Sequence, residues 1–257
     1  MTRDFTHQRY NEIIQTLKSN GYHFLKFSEY PKACRFSPVV ILRHDVDRHP
    51  RKSLALALLE HELGVRSTYF FRVKRCSFNL AIMKLIKEMG HEIGYHYEDL
   101  SCCGGDHLSA WQSFKRNLSL FSPVCTVRTI AMHGSPFSPW DNRNLWDYYD
   151  YRELGISLEA YRDIDWSRFI YLTDTGRNWN GKHNLRDKVR LGDFVQMEDL
   201  KDSECVMRFI SMSRPDLVIS VHPERWNDSI VDWLLSLLLD SCAKILKRII
   251  SLSRYNK

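Results

Sequence analysis

The feature that most constrains this chain is a regular alternation of short apolar runs with amphipathic segments. The apolar runs have the length and composition of strands, and most are followed by a segment with the spacing of a helix. The runs are PVVILRHD, STYFFRV, HEIGYHYE, RTIAMHG, FIYLTDTG and LVISVHP. This β-α-β-α order predicts parallel strands with helices outside. Because one α/β barrel routinely occupies a chain of 257 residues, we expect a single domain.

The same pattern divides the chain into three parts. Residues 1–37 form an N-terminal helical extension, residues 38–226 the barrel, and residues 227–257 a C-terminal amphipathic helix. Polar residues recur every three or four positions of the last segment on an otherwise apolar helix, so we expect the apolar face to pack on the barrel. In the alternative, its basic end with Trp233 lies on an anionic membrane surface or mediates a dimer.

Charge and cysteine content argue against several classes of protein. The formal net charge is +6, but 37 basic residues are interleaved with 31 acidic ones, so we expect no nucleic-acid partner. The seven cysteines contain no C-x-x-C pair, which favours reduced thiols and argues against a thiolate zinc site. No apolar run resembles a secretion signal or a membrane span, so we expect a cytoplasmic protein.

Side chains capable of acid-base or metal-binding chemistry follow five of the apolar runs. Because the carboxyl ends of the strands in a parallel barrel meet at one mouth, we expect these side chains to lie close together. A lone histidine at a strand end is more often structural, but five such ends in one chain favour a functional site. The residues are Asp45, Asp47, His96, His133, Asp174 and His222.

The first run ends in two aspartates on one face. Side chains alternate along a strand, so Asp45 and Asp47 face one side and His44 the other. Two carboxylates this close raise each other's pKa unless a positive charge lies nearby, and a divalent cation is the usual solution. One aspartate would then bind the metal and the other would act as a base. The alternative is a turn in which the aspartates cap the following helix.

The third run adds a histidine and a carboxylate. By the same alternation His96 and Glu98 share one face, and His91, on the other, is predicted to be structural. Imidazole and carboxylate ligands without thiolate suit zinc with an open position for water, the arrangement of hydrolytic zinc sites. We therefore expect a divalent metal ion, with zinc as the preferred candidate.

Three segments resemble the motifs of a known family. They are Arg43–Asp47 (RHDVD), Gly90–His96 (GHEIGYH) and Val218–Pro223 (VISVHP), and they are similar to motifs of the polysaccharide deacetylases of the NodB-homology type, carbohydrate esterase family 4. The HDVD and HPERW variants look most like the WbmS-like branch, which is associated with surface-polysaccharide synthesis. The resemblance implies a distorted (β/α)7 barrel, a divalent metal and hydrolysis of an N- or O-acyl group on a sugar.

The resemblance also implies roles by position. Asp45 would be the general base, His222 the general acid, and Asp47 and His96 metal ligands.

One position departs from the family. The family usually has a second metal-binding histidine four residues after the first, and this chain has Leu100 there, which cannot bind a metal. We expect His133 to supply the third ligand, with Glu98 as the second choice.

Three residues carry weaker predictions. Asp174 would orient His222 by accepting a hydrogen bond from its imidazole, or simply cap a turn. Trp179 and Trp226 follow strand ends and would stack on sugar rings, or belong to the packed core.

The function predicted from these residues is metal-dependent removal of an acyl group from a sugar that is free or attached to a nucleotide or lipid carrier. Two alternatives stay open. The first is a barrel that binds glycans and has lost its metal and its activity, and the second is another metal-dependent hydrolase, of phosphoesters or cyclic amides.

Overall fold

The computed structural model describes residues 3–179 and 200–255, and side chains up to residue 242. Within these ranges eight strands form one sheet. They are β1 (His23–Leu25), β2 (Val39–Val46), β3 (Thr68–Phe71), β4 (Glu92–Tyr97), β5 (Thr129–Met132), β6 (Leu158–Glu159), β7 (Phe169–Thr173) and β8 (Asp216–Val221).

The sheet has the order β6-β5-β4-β3-β2-β8-β7, with β1 paired beside the start of β2. Every strand pair is parallel. In the described part of the chain β6 and β7 are not paired with each other, so the curled sheet stays open at that edge. The predicted fold class, α/β with a distorted barrel of seven parallel strands, is confirmed.

Seven α-helices accompany the strands in the same described ranges. They are α1 (His7–Ser19), α2 (Pro50–Glu62), α3 (Leu80–Glu88), α4 (Asp99–Cys102), α5 (His107–Ser119), α6 (Ser203–Ser213) and α7 (Ile230–Tyr255). Four of them begin at a polar residue whose side chain accepts a hydrogen bond from a first-turn amide: Thr6, Asn79, Asp106 and Asp202. Such caps satisfy amides that the helix itself leaves unpaired.

Strand β2 separates two layers of the core. Val39 and Ile41 pack in one buried cluster, and Val40 and Leu42 pack in another that includes α1 and α6. The pleat continues this alternation, so Arg43 and Asp45 lie on the first face. His44 lies on the second, where it contacts side chains of α1 and α2.

Helix α7 corrects one expectation. Its apolar face was predicted to pack on the barrel. Among its described side chains, however, Ser236 and Asp240 are the buried ones, and six of the seven large aliphatic side chains between 230 and 239 are exposed. The reason is that the helix is held by polar contacts, which the periodicity of the sequence does not reveal. No helix in the described ranges combines the length and hydropathy needed to cross a bilayer.

Candidate active site

A pocket of about 620 Å³ lies at the carboxyl ends of β2, β4, β5 and β8. The structure brings together five of the predicted site residues in its wall, and these five are called the pocket cluster below: Asp45, Asp47, His96, His133 and His222. The five side chains lie together because the strands are parallel and each residue lies at or just after the carboxyl end of its strand.

Asp45, near the end of β2, is fixed by two neighbours. Nε of Arg43 donates to Oδ1 at 2.7 Å, and Oγ of Ser220 donates to Oδ2 at 3.3 Å. Burial alone raises the pKa of Asp45, but the charge of Arg43 and the nearby imidazoles outweigh it, so the pKa lies below its ordinary value. Asp45 is therefore ionised at neutral pH.

Arg43 received no role in the sequence analysis. Alternation along β2 already placed it on the face of Asp45, and that signal was sufficient to predict the ion pair.

Asp47, immediately after β2, faces two imidazole rings. Its Oδ1 lies 3.5 Å from Nε2 of His96 and 3.6 Å from Nε2 of His133. This oxygen is buried, and no hydrogen-bond donor among the described residues reaches it. Burial raises the pKa of Asp47, and the two imidazoles lower it more, so that the carboxylate is ionised. A buried carboxylate oxygen of this kind is one that a bound cation would satisfy.

His96, in β4, presents Nε2 to Asp47 because its other nitrogen is occupied. Nδ1 lies 3.0 Å from the backbone oxygen of Ala131, so the ring proton on Nδ1 donates there. Burial lowers the pKa of His96 to about 4. The ring is therefore neutral at pH 7, with a lone pair on Nε2, the state in which histidine binds a metal.

His133, directly after β5, is oriented in the same way by different partners. Its Nδ1 lies 3.1 Å from Oε2 of Glu98 and 3.1 Å from Oγ of Ser135. Glu98 is itself held by Arg72, whose guanidinium donates to both of its carboxylate oxygens at 2.8–3.0 Å. Glu98 thus lies behind His133, the position of a carboxylate that orients a metal-binding histidine.

His222, directly after β8, is held by Asp174 after β7. Nδ1 of His222 donates to Oδ1 of Asp174 at 2.6 Å, and the backbone amide of His222 donates to Oδ2 at 2.9 Å. Burial and Arg225 lower the pKa of His222, but the charge and hydrogen bond of Asp174 outweigh them and raise it to about 8. His222 is therefore mostly protonated at pH 7.

The two tryptophans do not meet the expectation of sugar stacking. Trp179 and Trp226 are fully buried and lie outside the pocket wall, where both pack against Phe5. Trp226 contacts the site indirectly, because its Nε1 donates to Oδ2 of Asp174 at 2.9 Å.

Leu100, in the short helix α4, is buried in the hydrophobic core and does not line the pocket. This position therefore offers no metal ligand.

Glu224 is a pocket residue that the sequence analysis missed. It lies buried in the turn after His222, and Nε of Arg48 approaches it at 3.6 Å. Burial, and then the charge of Asp47, raise its pKa to about 7. The residue lies in a short 3-10 turn (Pro223–Arg225) after the last strand, where strand periodicity gives no signal.

The pocket contains carboxylate and imidazole groups of the types that bind zinc. Among the described residues, no group of three or more His, Cys, Asp or Glu side chains is arranged as a complete metal site. The donors of Asp47, His96 and His133 nevertheless suit zinc in type and tautomer. Two ligands of a tetrahedral zinc with bonds of ~2.1 Å lie roughly 3.4 Å apart, close to the 3.5 Å and 3.6 Å between Asp47 Oδ1 and the two imidazoles. The donor types and these two distances are therefore compatible with a zinc ion bound by Asp47 and an imidazole.

Comparison of the sequence with known protein families and with curated proteins gives no match. Solved structures do show similarity. A carbohydrate esterase family 4 domain of a multidomain xylanase from the hindgut metagenome of Trinervitermes trinervoides has 14% identity and a TM-score of 0.45, over 81% of this chain and 85% of that one. A family 4 esterase of Streptococcus mutans has 13% identity and a TM-score of 0.46, over 91% and 90%.

A further similar structure is a family 4 pseudoenzyme of Bacillus anthracis, with 13% identity and a TM-score of 0.45. The similarity covers 79% of this chain and 60% of that protein. Identities and TM-scores this low do not transfer an activity to this chain, so its chemistry has to be argued from the pocket itself.

Proposed function

We propose that this protein is a metal-dependent hydrolase that removes an N- or O-acyl group from a sugar. The observation that carries the proposal is the presence, in one pocket, of an ionised Asp45 and a protonated His222 beside a carboxylate and two imidazoles, which are ligand types that zinc binds. Hydrolysis of an acyl group needs a base for the attacking water and an acid for the leaving group, and these two residues supply them.

Asp47, His96 and His133 would hold the metal. When bound, zinc supplies Lewis-acid polarisation of the acyl carbonyl and lowers the pKa of a water molecule at the site. Asp45 accepts a proton from the attacking water as the water oxygen adds to the carbonyl carbon. The bond from that carbon to the sugar nitrogen or oxygen then breaks, and His222 donates a proton to the departing amine or alcohol. The products are a carboxylate and the deacylated sugar.

Two neighbours keep the acid and the base in position. Arg43 holds Oδ1 of Asp45 at 2.7 Å. Oδ2 accepts only the longer hydrogen bond from Ser220 at 3.3 Å and keeps a second lone pair for the water proton. Asp174 holds the Nδ1 proton of His222, so the second ring proton, on Nε2, is the one to transfer. A pocket of about 620 Å³ is of the size that accommodates small ligands such as a sugar residue.

The biological setting belongs to the same proposal. The HDVD and HPERW variants of the motifs support a role in cytoplasmic surface-polysaccharide synthesis, as in the WbmS-like branch that they resemble. The acylated sugar would be free or attached to a nucleotide or lipid carrier.

A glycan-binding protein without activity is the second candidate. Two observations favour it: Leu100 stands at the position of a ligand, and no complete metal group is formed among the described residues.

One experiment separates the two candidates. Purified protein is analysed for zinc, and release of acetate from N- and O-acetylated amino sugars is measured before and after chelation and after zinc is restored. We expect one zinc per chain, with acetate release that chelation abolishes and zinc restores. Sugar binding that needs no metal and gives no release would replace our proposal with the second candidate.

A further inference from the structure

Helix α7 turns its apolar face away from the protein. Between residues 230 and 239, six large aliphatic side chains are 44–73% exposed, whereas Ser236 and Asp240 on the opposite face are buried. The exposed residues follow the spacing of one helix face. They are Ile230, Val231, Leu234, Leu235, Leu238 and Leu239, and they are called the α7 apolar face below.

Polar contacts fix this orientation. Oγ of Ser236 donates to the backbone oxygen of Glu224 at 3.2 Å. Asp240 accepts from Arg177 at 3.1 Å and from Arg225 at 3.4 Å, and all three side chains are buried. Rolling the helix to bury its apolar face would separate these buried charges, which is strongly unfavourable. The exposed apolar face is therefore the stable arrangement of the helix.

The α7 apolar face reaches the mouth of the pocket. Leu239 and Asp240 belong to the pocket wall, so the exposed leucines begin at its rim. Phe137 also lines the pocket and is 55% exposed. Exposed apolar groups from two separate elements thus border the same opening.

The charge of the sequence identifies the kind of surface that would cover this face. After Asp240 the chain contains five basic residues and no acidic one, while Ile245, Ile249 and Leu252 continue the apolar spacing of the helix. A helix with aliphatic residues on one face and Lys and Arg among its polar positions is typical of helices that lie on anionic membranes. Each basic residue near such a surface adds attraction that salt weakens.

We propose that the α7 apolar face, with Phe137, docks on an anionic lipid bilayer and holds the mouth of the pocket at its surface. The docking itself does not depend on the proposed activity. Its consequence does rest on that activity: the substrate would be an acylated sugar held at the membrane, on a lipid carrier rather than free in solution.

The test is sedimentation of the protein with lipid vesicles, without substrate or added metal. Vesicles contain either phosphatidylcholine alone or equimolar phosphatidylcholine and phosphatidylglycerol. The variant is Leu235→Glu with Leu238→Glu, and the matched control is Leu120→Glu with Met212→Glu. Leu120 and Met212 are 47% and 79% exposed, and neither lines the pocket. They lie at the ends of α5 and α6, the helices that precede β5 and β8, and both double variants add the same negative charge.

We expect the wild type and the control to bind the anionic vesicles, less tightly at high salt, and to bind phosphatidylcholine weakly. The α7 variant should bind at least about a hundredfold more weakly, with an unchanged circular dichroism spectrum. Equal binding by both variants, or no binding by the wild type, would overturn the proposal. So would a dimer that forms without lipid and is lost only in the α7 variant, because a second copy would then cover the face.

Because the assay contains no substrate, vesicle binding by a protein that releases no acetate would support the docking and reject the proposed activity. Acetate release from soluble sugars by a protein that ignores vesicles would do the opposite.

Discussion

The two faces of β2 carry two polar clusters that look alike in sequence and differ in structure. The pocket cluster lies on one side. On the other side His44 donates to Glu60 of α2, which is completely buried. Glu60 also accepts hydrogen bonds from three hydroxyl groups at 2.5–2.8 Å, those of Tyr10, Ser67 and Tyr69. We call these residues, with His91 beside them, the Glu60 cluster.

The difference lies in how the carboxylates are satisfied. Glu60 accepts four hydrogen bonds and has no access to solvent, and although burial raises its pKa, His44 and its other partners lower the pKa to about 2. Asp47 Oδ1 is equally buried, accepts none from the described residues, and faces two imidazole lone pairs beside an open pocket. A carboxylate surrounded by donors stabilises the fold, whereas one that lacks donors is available for a ligand.

The largest expected effect belongs to the pocket side. Asp45→Asn keeps the shape of the side chain and removes its capacity to accept a proton, so we expect turnover to fall by about a thousandfold. Zinc content should not change, because Asp45 is not one of the three proposed ligands. The measurement is acetate release together with metal analysis.

The matched control is Asp106→Asn, which makes the same change at a helix N-cap, where asparagine caps as well as aspartate. Full activity in Asp45→Asn would show that Asp45 is not the general base.

The next effect is on stability and belongs to the Glu60 cluster. Glu60→Gln replaces one of the two carboxylate oxygens, both of which accept hydrogen bonds, by an NH2 group. This NH2 group then faces side chains that are themselves hydrogen-bond donors. We expect the free energy of unfolding to fall by about 3 kcal/mol. Asp47→Asn should change it by less than about 1 kcal/mol, because Oδ1 of Asp47 has no donor to lose.

Urea unfolding of both variants, without metal, measures the difference directly. Equal losses of stability would mean that the two clusters do not differ as described.

A smaller effect, on the pH dependence of activity, tests the role of Asp174. The pKa of His222 is raised to about 8, and an acid must be protonated to act, so activity should fall as the pH rises through about 8. Asp174→Asn removes the charge that raised this pKa. The basic limb of the pH profile should then move down towards the ordinary value of 6.5. A limb that stays in place, with activity merely reduced, would assign Asp174 a structural role only.

Much of this arrangement was predictable from sequence. Alternation along β2 separated Asp45 from His44, and the order of strands and helices predicted that His96, His133 and His222 would meet at one mouth. These features depend on local periodicity and on the parallel topology, both of which the sequence encodes directly.

Other features depend on contacts between distant residues. Strands β1 and β6 are too short for their periodicity to be seen. The orientation of α7 depends on Arg177 and Arg225, which hold Asp240 from far away in the chain, so the helix pattern alone favoured the wrong face. The burial of Trp179 likewise depends on Phe5, from the other end of the sequence.

The proposed metal site consists of Asp47, His96 and His133, on the pocket side of β2. Zinc affinity measured side by side in wild type, His96→Ala, His133→Ala and Glu98→Ala tests it most directly, with the exposed His61→Ala as the control. We predict an equally large loss, about a hundredfold or more, for the two pocket histidines, about tenfold for Glu98, which only orients His133, and no change for His61. Wild-type affinity in His133→Ala with a large loss in Glu98→Ala would contradict the claim and make Glu98 the third ligand.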